Sequence, residues 1–108
     1  MNWLERTELL IKEEGIQKLQ NARVLIVGLG GVGGSAAEFI TRAGIGNLTI
    51  VDGDVVSITN INRQLPALHS TIGKPKTEVV AERLLDINPA LNLTDRKSTR
   101  LNSSHRSL

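Results

Sequence analysis

Apolar and polar positions alternate along this chain in blocks of two different periods. Leu4, Leu9, Leu10 and Ile11 stand among Glu5, Arg6, Glu8 and Lys12, which predicts a short amphipathic helix ending near Gly15, with a further turn or two from Ile16 to Gln20. Asn2 and Glu5 have capping-box spacing at its start, Trp3 reads as a packing anchor, and Lys12, Lys18 and nearby glutamates read as its solvated face. Arg23 to Val27 is a nearly unbroken β-branched and aliphatic run, the pattern of a strand buried on both faces. Val32, Ala36, Phe39, Ile40 and Ala43 follow at helical spacing, and Gly44 and Gly46 close that helix. Asn47 to Val51 is a second strand, so strand, helix and strand form a βαβ unit.

Between Gly53 and Gly73 the pattern dissolves into loop and short helical turns, as in segments that carry function. Pro75 then fits the first position of a helix whose buried stripe is Val79, Val80, Leu84 and Ile87. Pro89 ends it, and Ala90 to Thr94 begins a third strand. The fold class is therefore α/β, a Rossmann-like fold with a mostly parallel sheet that breaks off after the start of its third strand. A complete doubly wound domain needs more than about 100 residues. The chain divides into an N-terminal helical segment (1–22), a partial nucleotide-binding domain (23–94) and a tail (95–108). An N-terminal part of this kind is expected to leave strand edges unpaired and apolar faces uncovered.

Composition narrows the class. The chain has 108 residues, 40% hydrophobic and 22% charged, the balance of one small globular domain. No apolar run nears the roughly 20 residues that span a bilayer, and the acidic, polar N-terminus lacks a signal-peptide pattern, so a cytoplasmic location is expected. The absence of cysteine excludes a disulfide scaffold, a thiolate zinc site and a cysteine nucleophile within the chain. His69 and His105 are too far apart to suggest a metal cluster, and no metal site or role for His69 is predicted.

The net charge of +2 invites a nucleic-acid reading, but Arg96, Lys97, Arg100 and Arg106 all lie beyond position 94, where Asp95 is the one acid. The preceding residues carry a slight negative balance. The stretch from Asp95 to His105 has neither helical nor strand periodicity, reads as disordered, and resembles the translated read-through of a sequencing-library adapter. It is assigned no function.

The chemistry begins at Gly28-Leu29-Gly30-Gly31-Val32-Gly33, a G-x-G-x-x-G turn between strand and helix. Glycines allow the tight turn and let phosphate approach the backbone, while the exposed N–H groups and dipole of the helix start attract its oxygens. Asp52 ends the second strand, at the place where a carboxylate accepts hydrogen bonds from ribose hydroxyls. To this point nicotinamide-dependent dehydrogenases fit equally well.

The following residues separate the candidates. Asp52 and Asp54, then Asn60, Arg63 and Gln64 (N-x-x-R-Q), then Gly73-Lys74-Pro75-Lys76, resemble in order and spacing the ATP-using adenylyltransferases related to ubiquitin-activating enzymes, the ThiF and MoeB type. The likeness runs from about Arg6 to Thr94. Within that family, Gln64 to His69, Ala81 to Arg83 and Asp86 to Pro89 are most similar to the tRNA threonylcarbamoyladenosine dehydratase branch.

The resemblance implies activation of a carboxylate as its acyl-adenylate. The acceptor is threonylcarbamoyladenosine in tRNA, or, in a sister branch, the C-terminal glycine of a ubiquitin-like sulfur carrier. It implies ATP bound by Gly28, Gly30, Gly31, Gly33, Asp52, Asp54, Asn60, Arg63 and Lys76, with Arg63 and Lys76 offsetting charge on the leaving pyrophosphate. Arg6 would reach into a partner subunit's site, making the active unit a homodimer; the residues alone equally allow an ordinary charged helix position. Gly34 replaces the Ser or Cys of many relatives, with Ser35 following. The family's magnesium-binding aspartate and any catalytic cysteine lie further along than these residues, so the chain is expected to hold an ATP half-site and to be inactive alone.

Overall fold

The computed structural model describes residues 2–97. In chain order these form α1 (Glu5–Asn21), β1 (Arg23–Val27), α2 (Val32–Ala43), β2 (Asn47–Val51), two 3₁₀ turns (Ile58–Asn60 and His69–Thr71), α3 (Lys76–Ile87) and β3 (Asn92–Arg96). The three strands make one parallel sheet in the order β1-β2-β3, with Ile26 beside Ile50 and Thr49 beside Thr94. This is the Rossmann-like α/β architecture that the blocks predict.

Alternation along β2 turns Leu48 and Ile50 to the side where α2 and α3 lie, and both are almost fully buried. There they join Leu29, Ala37, Ile45, Val80, Leu84 and Leu91, with Val24 and Ile26 of β1 packed against them. Each large side chain so enclosed contributes about 1.5–3 kcal/mol. The other face of β1 differs from the two-sided burial expected. Leu25 and Val27 are 62% and 60% exposed, because among the described residues α2 and α3 cover the opposite face of the sheet.

The stripe of α2 is also displaced from the expected one. Val32 and Phe39 are exposed, while Gly34, Ala37 and Thr41 face inward. A Cβ on Gly34 would stand 2.7 Å from the Leu29 carbonyl oxygen, so the helix lies close enough to the preceding turn that small residues must form its inner side. Glu38 joins α2 to α3, accepting hydrogen bonds from Arg42 at 3.0 Å and from Arg83. The Arg83 hydrogen bond is the main reason its carboxyl lies below a glutamate's usual range; burial opposes the shift and Arg42 adds to it. The Arg83 guanidinium is held charged more firmly in return.

At the N-terminus the capping box does not form. Asn2 Oδ1 accepts from Leu4 N–H at 2.9 Å, a local Asx turn, and the helix starts at Glu5 itself. The helix continues through Gly15 to Asn21, interrupted at Lys12 (φ 66°, ψ 171°). Gly15 serves as a close contact instead of a stop, since a Cβ there would lie 2.8 Å from that of Ile11. Leu9 and Leu10 are exposed, whereas Leu4 and Ile16 are buried. Pro75 precedes α3 as its extended N-cap, because the helix begins at Lys76, whose N–H bonds the Asp54 carbonyl. β3 continues through Asp95 and Arg96, two residues past the expected boundary, because Asp52 N–H bonds the Arg96 carbonyl. The remaining tail residues, with Arg100, His105 and Arg106, lie outside the described residues.

Candidate functional site

The candidate residues gather beyond the C-terminal ends of β1 and β2, where open α/β sheets bind ligands. Gly28 N–H bonds the Val51 carbonyl at 2.7 Å, which carries the strand pairing one step into the turn. Gly28 and Gly31 adopt φ of 90° and 54°, values that L side chains rarely tolerate. Gly31 caps α2, so the backbone N–H groups that open the helix have no side-chain partner from the cap. Gly33 is required for another reason: a Cβ would fall 1.8 Å from the Gly28 carbonyl oxygen. Between the glycines, Leu29 is wholly buried in the core and anchors the turn from beneath.

Asp52 holds this turn in place. Its Oδ2 accepts from Leu29 N–H and its Oδ1 from Asp54 N–H, both at 2.7 Å, and the residue is 7% exposed. The same carboxylate therefore braces the glycine turn and the loop after β2, a duty that sequence reading assigned only to ribose. Beyond it, Lys76 N–H bonds the Asp54 carbonyl at 3.0 Å, and Val56 N–H bonds the Lys74 carbonyl at 2.8 Å. The Asp52 carboxylate, through two backbone N–H groups, and the backbone bond from Lys76 to Asp54 thus tie the glycine turn, Asp52, Asp54 and Lys76 into one connected unit.

Asn60 ends the first 3₁₀ turn, and Arg63 lies in the turn that follows it. Asn60 Oδ1 accepts from Ser57 N–H at 2.9 Å, and its carbonyl accepts from Gln64 N–H at 2.9 Å. The Gln64 side chain reaches the glycine turn, since a Cβ on Gly30 would lie 2.7 Å from its Nε2. Arg63 is exposed, with one guanidinium nitrogen on the Thr59 carbonyl and on Asn62 Oδ1, and it enters none of the ion pairs among the described residues. Lys76 is 5% exposed and likewise enters none of them. The cluster therefore offers helix-start N–H groups and two cations unmatched by carboxylates, a combination suited to a polyanion.

Arg6 is not brought to this cluster. It lies exposed on α1, two residues beyond Leu4, whose side chain packs beside Gly44 past the far end of α2. A concavity of about 680 Å³ opens elsewhere, where Leu65, Pro66 and Leu68 face Glu78 and Glu82 of α3, and it contains none of the expected site residues. Among the described residues no three His, Asp or Glu side chains converge as for a metal ion. No helix among them is long and apolar enough to cross a membrane. Sequence reading missed the structural parts of Leu29 and Gln64; for Gln64 the available signal was its place directly after Arg63 in the N-x-x-R-Q run.

Comparison with known proteins follows the same lines. The chain is 48% identical over 89 residues to the tRNA threonylcarbamoyladenosine dehydratase of Bacillus subtilis (strain 168), an alignment covering 82% of this chain and 35% of that protein. It is 44% identical over 81 residues to the molybdopterin-synthase adenylyltransferase of Escherichia coli (strain K12), covering 75% of this chain and 32% of that protein. The crystal structure of the E. coli tRNA N6-threonylcarbamoyladenosine dehydratase in complex with ATP superposes with a TM-score of 0.87 at 41% identity, covering 91% of this chain and 40% of that one. The chain thus spans about a third of the length of the curated relatives it matches. These relatives are adenylyltransferases and dehydratases, and a nicotinamide-dependent oxidoreductase is not favoured. The ThiF family model matches residues 4–105, nearly the whole chain, and the chain belongs to the ThiF family.

Proposed function

We propose that this chain is the ATP-binding part of an enzyme that activates a carboxylate as its acyl-adenylate, the carboxylate being that of threonylcarbamoyladenosine in tRNA. One observation carries the nucleotide reading. Lys76 is buried to 5% exposure, and no carboxylate pairs with it among the described residues. Its stem is packed away, yet its Nζ is not among the closed-off, unpartnered polar atoms, so the ammonium is held at the rim with no carboxylate to neutralise it and is free to meet an anion. The triphosphate supplies that anion, with Arg63 as a second cation and the opening N–H groups of α2 as donors. Gly28, Gly30, Gly31 and Gly33 form the cradle, Asn60 adds a polar contact, and Asp52 and Asp54 stand where the ribose lies.

In the reaction a carboxylate oxygen attacks the α-phosphorus, a mixed acyl–phosphate anhydride bond to AMP forms, the bond between the α- and β-phosphates breaks, and pyrophosphate leaves. Negative charge grows on the leaving group, where Lys76 and Arg63 stabilise it. A nucleophilic atom of the same modified side chain then attacks the activated carboxyl carbon, closing the ring, losing its proton and expelling AMP, which leaves far more readily than hydroxide; the net change is dehydration.

The tRNA acceptor is preferred because dehydratase relatives match at 44–48% identity. The E. coli sulfur carrier protein ThiS adenylyltransferase, at 42%, supports a sulfur-carrier acceptor as the second reading. A homodimer in which Arg6 serves the partner's site, and a cytoplasmic location beside ATP and tRNA, complete the proposal. Magnesium belongs to such a reaction, but both oxygens of Asp52 are held by backbone N–H groups and no acidic cluster accompanies it among the described residues. These residues therefore do not form a magnesium site among themselves.

Replacing Lys76 by Met tests the reading. The substitution removes an unpaired charge and keeps the buried stem, so the unfolding free energy is little changed, while ATP affinity measured by calorimetry falls by about tenfold or more. Unchanged ATP affinity would overturn it.

A further inference from the structure

We propose that Gln64 is a positioning residue of the nucleotide site, acting by seating its amide in the space left by the missing Cβ of Gly30. The inference rests on the ATP reading above. A Cβ at Gly30 would stand 2.7 Å from Gln64 Nε2, 2.8 Å from Cδ and 2.9 Å from Oε1, so the whole amide group lies against that glycine. Gly30, unlike Gly28 and Gly31, has no positive φ. The amide of Gln64, and not backbone conformation, is therefore what a larger residue at position 30 would have to displace.

The contact has a polar cost that folding alone does not explain. Gln64 Oε1 is closed off from solvent and has no hydrogen-bond partner. A methionine or leucine would fill such a place without orphaning an oxygen, and buried polar groups left unmatched weaken a fold. What the contact secures is the loop. Gln64 N–H and Arg63 N–H both bond the Asn60 carbonyl, at 2.9 and 3.1 Å, so the turn that follows the 3₁₀ segment ties Asn60, Arg63 and Gln64 together. Seating Gln64 on Gly30 fixes the distance between the N–H groups of the glycine turn and the Arg63 guanidinium. A triphosphate reaching from one to the other needs that distance held; a monophosphate resting on the turn does not.

The test compares Gln64→Ala, Gly30→Ala, the two combined, and Gln64→Met, each titrated with ATP and with AMP and each unfolded with urea. Gln64→Ala keeps or raises the unfolding midpoint, loses about tenfold in ATP affinity and leaves AMP affinity unchanged. Gly30→Ala pushes the amide aside and reproduces that change in the ATP-to-AMP ratio. The double variant is no worse than either single one, since both act through the same contact. Gln64→Met refills the space and returns ATP affinity to within about twofold, the expectation for a volume-conserving exchange.

Gln64→Ala that weakens the fold while ATP binds as before, or single effects that add in the double variant, would overturn the role alone. An unaltered chain that binds neither nucleotide would overturn the ATP reading and this role with it.

Discussion

The main-chain N–H of Leu29 points at Asp52 Oδ2 from 2.7 Å, joining the loop after β1 to the end of β2. The second oxygen of the same carboxylate receives Asp54 N–H, so one buried charge shapes two loops of the candidate site. Any ligand contact made by Asp52 comes in addition to this bracing role.

Asp52→Asn separates those duties. The amide retains one accepting oxygen but turns its NH₂ toward the other N–H group. The variant is expected to lose about 1.5–3 kcal/mol of unfolding free energy, the range for a hydrogen bond to a charged group. Urea unfolding of the two proteins checks it, and equal midpoints would show that the brace contributes nothing.

The glycines of the turn are predicted to differ in their tolerance of a methyl group. Gly33→Ala drives a Cβ to 1.8 Å from the Gly28 carbonyl oxygen, which only movement of the backbone relieves. It is expected to lose about 3 kcal/mol or more, or to fail to fold. Gly28→Ala meets empty space and suffers only from its φ of 90°, a loss of about 1–2 kcal/mol. Soluble yield and thermal melting rank the pair, and the reverse order would refute the geometry.

Acid weakens the clasp between α2 and α3. Glu38 has its carboxyl held below the usual 4.5, first by the hydrogen bond from Arg83. A carboxylate with a lowered folded value gives stability that is complete above the unfolded value and disappears as pH falls through the folded one. Glu38→Gln is therefore less stable than the unaltered chain at pH 7, and the gap narrows below pH 4.5. Urea midpoints across that range test it; a gap that stays constant with pH would contradict it.

The parts of the fold that were legible in sequence are those where pattern and geometry share one cause. β1, β2 and α3 follow from continuous or periodic apolar residues, and the turn between β1 and α2 from its glycines. The inner side of α2 was misread because proximity to the Leu29 carbonyl demands Gly34, Ala37 and Thr41, which carry little hydrophobic signal. β1 looked buried on both faces because Leu25 and Val27 are as apolar as Val24 and Ile26; composition does not reveal that one face stays uncovered. The break at Lys12 has no sequence mark at all.

For the site, the sequence proposed residues and left their relationships unseen. Asn60, Arg63 and Lys76 were proposed through the family resemblance, and Asp52 from its place at the end of the second strand. That Asp52 clamps Leu29, or that Gln64 occupies the void over Gly30, depends on chain segments far apart in sequence.

A triphosphate received by the glycine turn and Lys76 is the central feature of the proposed site. Calorimetric titration of the chain with ATP and, separately, with NADH tests this most directly. ATP is expected to bind more tightly than NADH, and to lose that advantage in Lys76→Met. Tighter binding of NADH, or no heat with ATP at all, would contradict it.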